Sequence, residues 1–185
     1  MISVDEVLNG YRIGIFPMAN PEEENSILWY EPDLRGIIPL DEFKASKNLL
    51  KLYCSGTFEY TFNLEFEEVM RQCAARSETW ISEEIIELYT TLHTMGFAYS
   101  FETRLGGKLV GGLYGVAIGK AFFGESMFHS VTNASKLSMV YLVNYLKVKQ
   151  YTLLDTQYLT PHLAQFGCIE IPKNEYLLLL RRSLG

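Results

Sequence analysis

The alternation of apolar and polar positions is clearest in the middle of the chain. Val110–Ile118 and Ala121–Phe128 are two β-branched and aromatic runs separated only by Gly119-Lys120, which predicts a tight hairpin. Gly111, Gly112 and Gly115 strip side chains from the first run and Gly124 from the second. Glycine inside a strand pattern marks a bulge or a group lying close to the backbone. Phe97–Thr103, ahead of Gly106-Gly107-Lys108, adds a third strand and makes an antiparallel meander. Asn133, a good N-cap residue, then leads into a helix with Ala134, Leu137, Val140, Tyr141 and Val143 at helical spacing.

The flanks read by the same rules. Ser3-Val4-Asp5-Glu6 is a capping box, so a helix is predicted over Val4–Tyr11, broken by Gly14 and Pro17. The acidic segment Asn20–Asn25 reads as a solvated loop. Residues 27–40 are apolar at both ends but interrupted by Pro32, the pattern of an edge strand or a loop lining a cleft. Phe43–Leu52 predicts a helix that carries Lys44, Lys47 and Lys51 as a stripe. Ser55-Gly56 marks a boundary, after which come a strand at Phe58–Phe62 and a helix capped by Asn63. Ser77–Ile81 is a loop containing Trp80, and Ser82 caps a helix that Gly96 ends. Downstream, Tyr151–Asp155 is a strand, Thr160-Pro161 opens a brief helix closed by Gly167, Cys168–Ile171 is a strand, and Pro172 opens a terminal helix with the apolar run Tyr176–Leu180. Strands flanked by helices in this order give an α+β fold: a small domain over 1–56 packed on a mixed-sheet domain over 57–185.

Composition narrows the classes. The 185 residues, 48% hydrophobic, suffice for a full core. No apolar run approaches the ~20 residues that span a bilayer. The N-terminus lacks the basic and apolar regions of a signal peptide, so a cytoplasmic location is expected. Cys54, Cys73 and Cys168 are scattered and odd in number, which suits reduced thiols, and no Cys/His cluster has metal-site spacing. The net charge of −6 argues against broad, nonspecific nucleic-acid binding and confines any RNA contact to a local patch.

The candidate chemistry is carboxylate and amide chemistry. Glu125 stands between Gly124 and Ser126 on a strand that otherwise reads as buried, although a glutamate there on residue type alone more often faces water. Asp155 and Gln157 end the strand YTLLD, and an extended chain would point both to one face, although an aspartate leaving a strand commonly caps the next turn. A meander, a helix and a further strand is the element order of acetyl-coenzyme A-dependent N-acyltransferases. Those bind pyrophosphate with a glycine-rich turn at a helix start. Phe128–Lys136 holds no glycine at that junction, so the coenzyme is not expected as donor and no cofactor is implied.

Four blocks in order make a more specific pattern: Tyr11–Pro17 (YRIGIFP), Trp29–Arg35 (WYEPDLR), Gly124–Phe128 (GESMF) with Asn133–Lys136 (NASK), and Asp155-Thr156-Gln157 with Glu170-Ile171-Pro172. With them the chain resembles the bacterial leucyl/phenylalanyl-tRNA–protein transferases. The resemblance implies a small N-terminal domain joined to an acyl-CoA N-acyltransferase-like domain, acting as a monomer. The activity it implies moves Leu or Phe from Leu-tRNA or Phe-tRNA to proteins with N-terminal Arg or Lys, marking them for degradation. By likeness, Asp155 and Gln157 match the catalytic pair and Glu125 a carboxylate near the acceptor, where it would attract the cationic acceptor side chain. Trp29, Trp80, Phe122 and Met127 fall at aminoacyl-adenosine positions, Leu113 stands where relatives can carry Met, Gly124, Ser126 and Asn133 join them as substrate-binding candidates, and Lys44, Lys47 and Lys51 become candidate tRNA contacts. A diverged acyltransferase using another aminoacyl-tRNA or a small-molecule acceptor, or a noncatalytic module binding aminoacyl-tRNA or protein N-termini, would share the scaffold.

Overall fold

The computed structural model describes residues 2–23, 26–76 and 79–185. The expected loop positions 24–25 and 77–78 lie outside the described residues. Helix α1, Val4–Ile13, begins with the capping box, in which the Ser3 side chain accepts from the Glu6 N–H and Glu6 accepts from the Ser3 N–H, and ends at Gly14 in the left-handed region. Strands β1 (Phe16–Asn20) and β2 (Ser26–Tyr30) form an antiparallel ribbon of their own. Then follow β3 (Leu34–Ile37), α2 (Lys47–Tyr53), β4 (Glu59–Phe62), α3 (Phe66–Ala74) and α4 (Glu83–Thr94). The meander is β5 (Ala98–Leu105), β6 (Lys108–Ile118) and β7 (Ala121–His129); after it come α5 (Ala134–Val148), β8 (Leu153–Gln157), α6 (Pro161–Ala164), β9 (Ile169–Pro172) and α7 (Lys173–Leu184).

Seven strands form one sheet in the order β4-β5-β6-β7-β8-β3-β9, in which only the β7–β8 pair is parallel. Apolar residues of α1, α3, α4 and α7 pack on one face, and those of α2 and α5 pack on the other. Neighbouring residues of β7 divide between them: Phe123 joins the first cluster and Phe122 the second. This is the expected α+β architecture.

Four local expectations are corrected. Leu34–Ile37 is no edge strand, since β3 lies inside the sheet between β8 and β9 and so draws a segment from the first 56 residues into the large sheet. The helix expected from Phe43 starts only at Lys47, because the Ser46 side chain caps it by accepting from the Leu49 N–H while Lys44 donates its own N–H to the Phe166 carbonyl. Lys44 therefore leaves the stripe, although all three lysines are exposed. Asn63 adopts the left-handed region and its side chain accepts from the Ser100 N–H on β5, so it caps no helix. Asn133 does precede α5, but it too is left-handed and makes no capping bond.

Two glycines have physical reasons. A Cβ on Gly111 would stand 2.5 Å from the Ala134 Cβ, so the start of α5 packs directly on the bare backbone of β6. A Cβ on Gly115 would meet the Phe123 carbonyl oxygen at 2.3 Å, where β6 and β7 fall out of register.

Candidate active site

The site is made by a bulge and a split. Gly115 pairs with Gly124 and Tyr114 with Ser126, which leaves Glu125 as the extra, unpaired residue of a β-bulge. Bulges bend a strand and re-aim a side chain, and here glycine is required on the partner strand to admit it. Strands β7 and β8 pair only at Ala121–Phe123 with Leu153–Asp155. Beyond that β7 stays with β6 while β8 stays with β3. A cavity of about 710 Å³ lies where they part, lined by Gly124–Ser130 on one side and Thr156–Tyr158, Thr160, His162 and Leu163 on the other.

Glu125 reaches from the bulge into a buried polar chain. The Tyr11 hydroxyl of α1 donates to Glu125 Oε1 at 2.5 Å, and the Gln157 side-chain amide donates to the same oxygen at 3.1 Å. Tyr89 of α4 lies 2.5 Å from the Tyr11 hydroxyl. Since Tyr11 directs its proton to the carboxylate, Tyr89 is the donor to Tyr11. Burial pushes the Glu125 carboxyl up to about 7, against the pull of the two hydrogen bonds. Burial, followed by the charge of Glu125, also raises the hydroxyls of Tyr11, Tyr89 and Tyr114, which stay protonated.

Asp155 sits behind this chain. It is fully buried, and Arg35 of β3 grips it with a fork: Nε to Oδ1 at 3.0 Å and Nη2 to Oδ2 at 2.7 Å. The Tyr176 hydroxyl donates to Oδ2 at 2.6 Å and the Gln157 backbone N–H to Oδ1 at 2.8 Å. Arg35 also donates to the Gly14 carbonyl at 2.8 Å and lies over the rings of Phe16 and Tyr176. Burial alone would lower the guanidinium, but Asp155 outweighs it and the pKa is raised. Gln157 takes the left-handed region, φ 64°, which β-strand continuation would not allow. Asp155 and Gln157 therefore do not present their side chains side by side: Asp155 fixes the backbone of Gln157, whose amide turns to Glu125.

Of the residues singled out in the sequence, Trp80, Leu113, Gly124, Glu125, Ser126, Met127 and Gln157 line the cavity. Four others do not. Phe122 is fully buried against Phe101, below the point where the strands part. Trp29 lies on the β1–β2 ribbon with its ring over Gly10, where an added Cβ would stand 2.2 Å from it. Asn133 and Asp155 sit outside the lining. Sequence reasoning missed Tyr11 and Arg35, which stand inside the quoted blocks but carried no role, and Tyr176, hidden in an apolar run. It also missed Met139, Leu142, Leu154 and Leu163, which with Leu113 and Met127 form an apolar part of the lining. Helical spacing around Val140 was the available signal for the two α5 residues. Arg76 borders the cavity, donating to Ser126 Oγ at 3.1 Å and to the Met127 carbonyl.

Comparison with known proteins decides the family. The family described as leucyl/phenylalanyl-tRNA protein transferase matches residues 37–181, and its N-terminal domain matches residues 1–33. The chain belongs to the leucyl/phenylalanyl-tRNA–protein transferase family. Relatives bearing that name are similar along their length. That of Chlorobaculum parvum is 46% identical, with 100% of this chain and 97% of the relative covered. That of Rhodopseudomonas palustris is 49% identical over 99% of this chain and 83% of the relative. Among solved structures, FemX aligns with TM-score 0.54 at 11% identity, covering 84% of this chain and 60% of its own. L-PGS from Bacillus licheniformis aligns with TM-score 0.53 at 12% identity, covering 98% and 70%. These likenesses show that the chain shares its fold with FemX and L-PGS.

Among the described residues no group of three or more His, Cys, Asp or Glu side chains gathers as a metal site, and no helix is long and apolar enough to cross a membrane.

Proposed function

We propose that this chain transfers Leu or Phe from aminoacyl-tRNA to the α-amine of proteins beginning with Arg or Lys, in the cytoplasm and as a monomer, marking those proteins for degradation. The observation that carries this reading is the cavity in the strand split, which joins an apolar part to a buried carboxyl group and an amide. Leu113, Met127, Met139, Leu142, Leu154 and Leu163 suit an unbranched-at-Cβ apolar side chain such as Leu or Phe, and their shape limits what else enters. Trp80 offers a face for the terminal adenosine. Membership of a family whose relatives bear the transferase name supplies the reaction class.

The reaction is aminolysis of an activated ester. The donor carries its own activation, and an α-amine of pKa ~8 has an appreciable neutral fraction at physiological pH, so positioning supplies much of the rate. Asp155, held by Arg35 and Tyr176, orients Gln157, and Gln157 fixes the ester and the acceptor backbone. Glu125 attracts the positive charge of the acceptor. The N-terminal unit, expected over 1–56, contributes Tyr11 and Arg35, and residues 57–185 contribute Glu125, Asp155 and Gln157. Lys47 and Lys51 on α2, with Lys44 just before it, supply exposed cations for tRNA phosphates.

The test is transfer of radiolabelled Phe from charged tRNA to a peptide beginning with Arg, beside the same peptide acetylated at its N-terminus. Label on the free-amine peptide alone is expected. Absence of label with both Phe-tRNA and Leu-tRNA rejects the reading.

A further inference from the structure

Four buried side-chain polar atoms have no hydrogen-bond partner among the described residues: Thr90 Oγ1, Tyr114 Oη, Glu125 Oε2 and His162 Nε2. Three of the four belong to residues that line the one cavity in the strand split. Buried polar atoms nearly always find a partner, so orphans gathered at a cavity mark where the polar groups of a ligand complete the set. Tyr114 and Glu125 are neighbours across the β6–β7 bulge, since Tyr114 pairs with the residue after Glu125. One is a donor that keeps its proton and the other an acceptor.

The two carboxylates of the site differ in one respect that matters for proton transfer. Asp155 accepts four hydrogen bonds from Arg35 Nε and Nη2, Tyr176 and the Gln157 N–H, and its charge is balanced by the guanidinium. A carboxylate offers about four acceptor positions, so Asp155 has none to spare. Glu125 uses one oxygen for Tyr11 and Gln157 and leaves the other unused.

We propose that Glu125, through Oε2, takes the proton of the attacking amine, and that Asp155 is a positioning residue acting only through Gln157. This rests on the aminoacyl-transfer reading above. In the step, the neutral α-amine nitrogen bonds to the ester carbonyl carbon and its N–H proton passes to Glu125. The ester C–O bond then breaks, the ribose oxygen leaves with the electron pair and collects that proton, and the carboxylate is restored. Nothing else is consumed.

The groups that face Glu125 fit such a shuttle. They are Tyr11 from α1, Tyr89 from α4, Tyr114 from β6, Asp155 and Gln157 from β8, and Arg35 from β3, with Cys73 and Arg76 acting on Tyr114 beside it. Burial outweighs the hydrogen bonds and brings the carboxyl to about 7, close to the working pH that suits a general base.

The experiment compares wild type, Glu125→Gln and Tyr11→Phe in Phe transfer from charged tRNA to an Arg-led peptide over pH 5.5–9 (roughly the window around both relevant groups). Wild type is expected to show an acid limb near the carboxyl value besides the limb of the acceptor amine. Glu125→Gln is expected to lose that limb and about 10²-fold or more in kcat, with the peptide KM raised as well because the acceptor's charge is no longer attracted, and with an unaltered circular dichroism spectrum. Tyr11→Phe removes a hydrogen bond that holds the carboxyl down, so its limb should move to higher pH. A Glu125→Gln enzyme with kcat intact and KM raised, or one that keeps the limb, overturns the assignment. An unmoved limb in Tyr11→Phe overturns it as well. A wild type that transfers nothing rejects the transfer reading and the proposal with it.

Discussion

Arg35 and Asp155, 120 residues apart in sequence, meet as a forked ion pair with Nη2 2.7 Å from Oδ2 and both side chains almost completely buried. The pair joins β3 to β8 at the point where β8 turns into the left-handed residue Gln157. It therefore ties the N-terminal third of the chain to the site. Removing one partner of a buried pair strands the other charge, which costs about 3–5 kcal/mol. Asp155→Asn is expected to abolish transfer, because Gln157 loses the group that orients it, while the protein still folds. The structure adds a stability cost of that size, to be read from urea denaturation. Tyr176→Phe, which removes one hydrogen bond to the carboxylate, should cost about 1.5–3 kcal/mol and lower kcat with little change in KM.

The stability of the protein should fall as pH rises through the range that ionises Glu125. Its folded value, about 7, is above the ordinary 4.5, so between the two the folded protein binds a proton that the unfolded chain has released. The contribution is fully present below 4.5 and is lost as pH rises through the folded value, by roughly 3 kcal/mol in all. Glu125→Gln removes the ionisation. The difference in unfolding free energy between wild type and variant should therefore be flat below the ordinary carboxyl range and tilt toward the variant between pH ~5 and ~8. A difference that stays constant across that range counts against the buried, neutral carboxyl.

Shrinking the apolar part of the cavity should change donor choice. Leu113 is a lining residue of β6, and Leu113→Phe adds volume there. The larger donor side chain should suffer more, so kcat/KM for Phe-tRNA is expected to fall relative to Leu-tRNA by about 10-fold or more. Competition between the two charged tRNAs for one peptide acceptor measures the ratio directly. An unchanged ratio would place the donor side chain elsewhere.

Gly111→Ala should loosen the contact between the sheet and α5. The added methyl would overlap Ala134, whose backbone carbon stands 2.7 Å away and has no flexible side chain to yield. Displacing the start of α5 should cost about 1–3 kcal/mol. The thermal midpoint should fall by several degrees, as scanning calorimetry would show.

Features settled within a few residues were legible in the sequence, while those requiring distant partners were not. Ser3 and Glu6 form their capping box, Ser82 caps α4, Gly119-Lys120 turns the hairpin, and the three-strand meander follows the apolar runs. The glycines of β6 and β7 announced a close approach, and the bulge at Glu125 is its form. Local preference failed where a distant group outbid it. Asn63 gave its side chain to Ser100 rather than to a helix start, and Lys44 was drawn out of α2 by the Phe166 carbonyl.

The sequence by itself determined most of the helices, the meander, the strand that carries Asp155 and the family blocks, because capping, turn formation and apolar periodicity act over one or two turns of chain. Only the tertiary structure decided what the polar groups do. It seated β3 inside the sheet, turned Gln157 away from Asp155, and brought Tyr11 to Glu125 across 114 residues. It also made the Tyr176 hydroxyl, inside an apolar run, a partner of the buried carboxylate. Each of these depends on which side chains are sealed from water together, a property of packing between segments that no local pattern encodes.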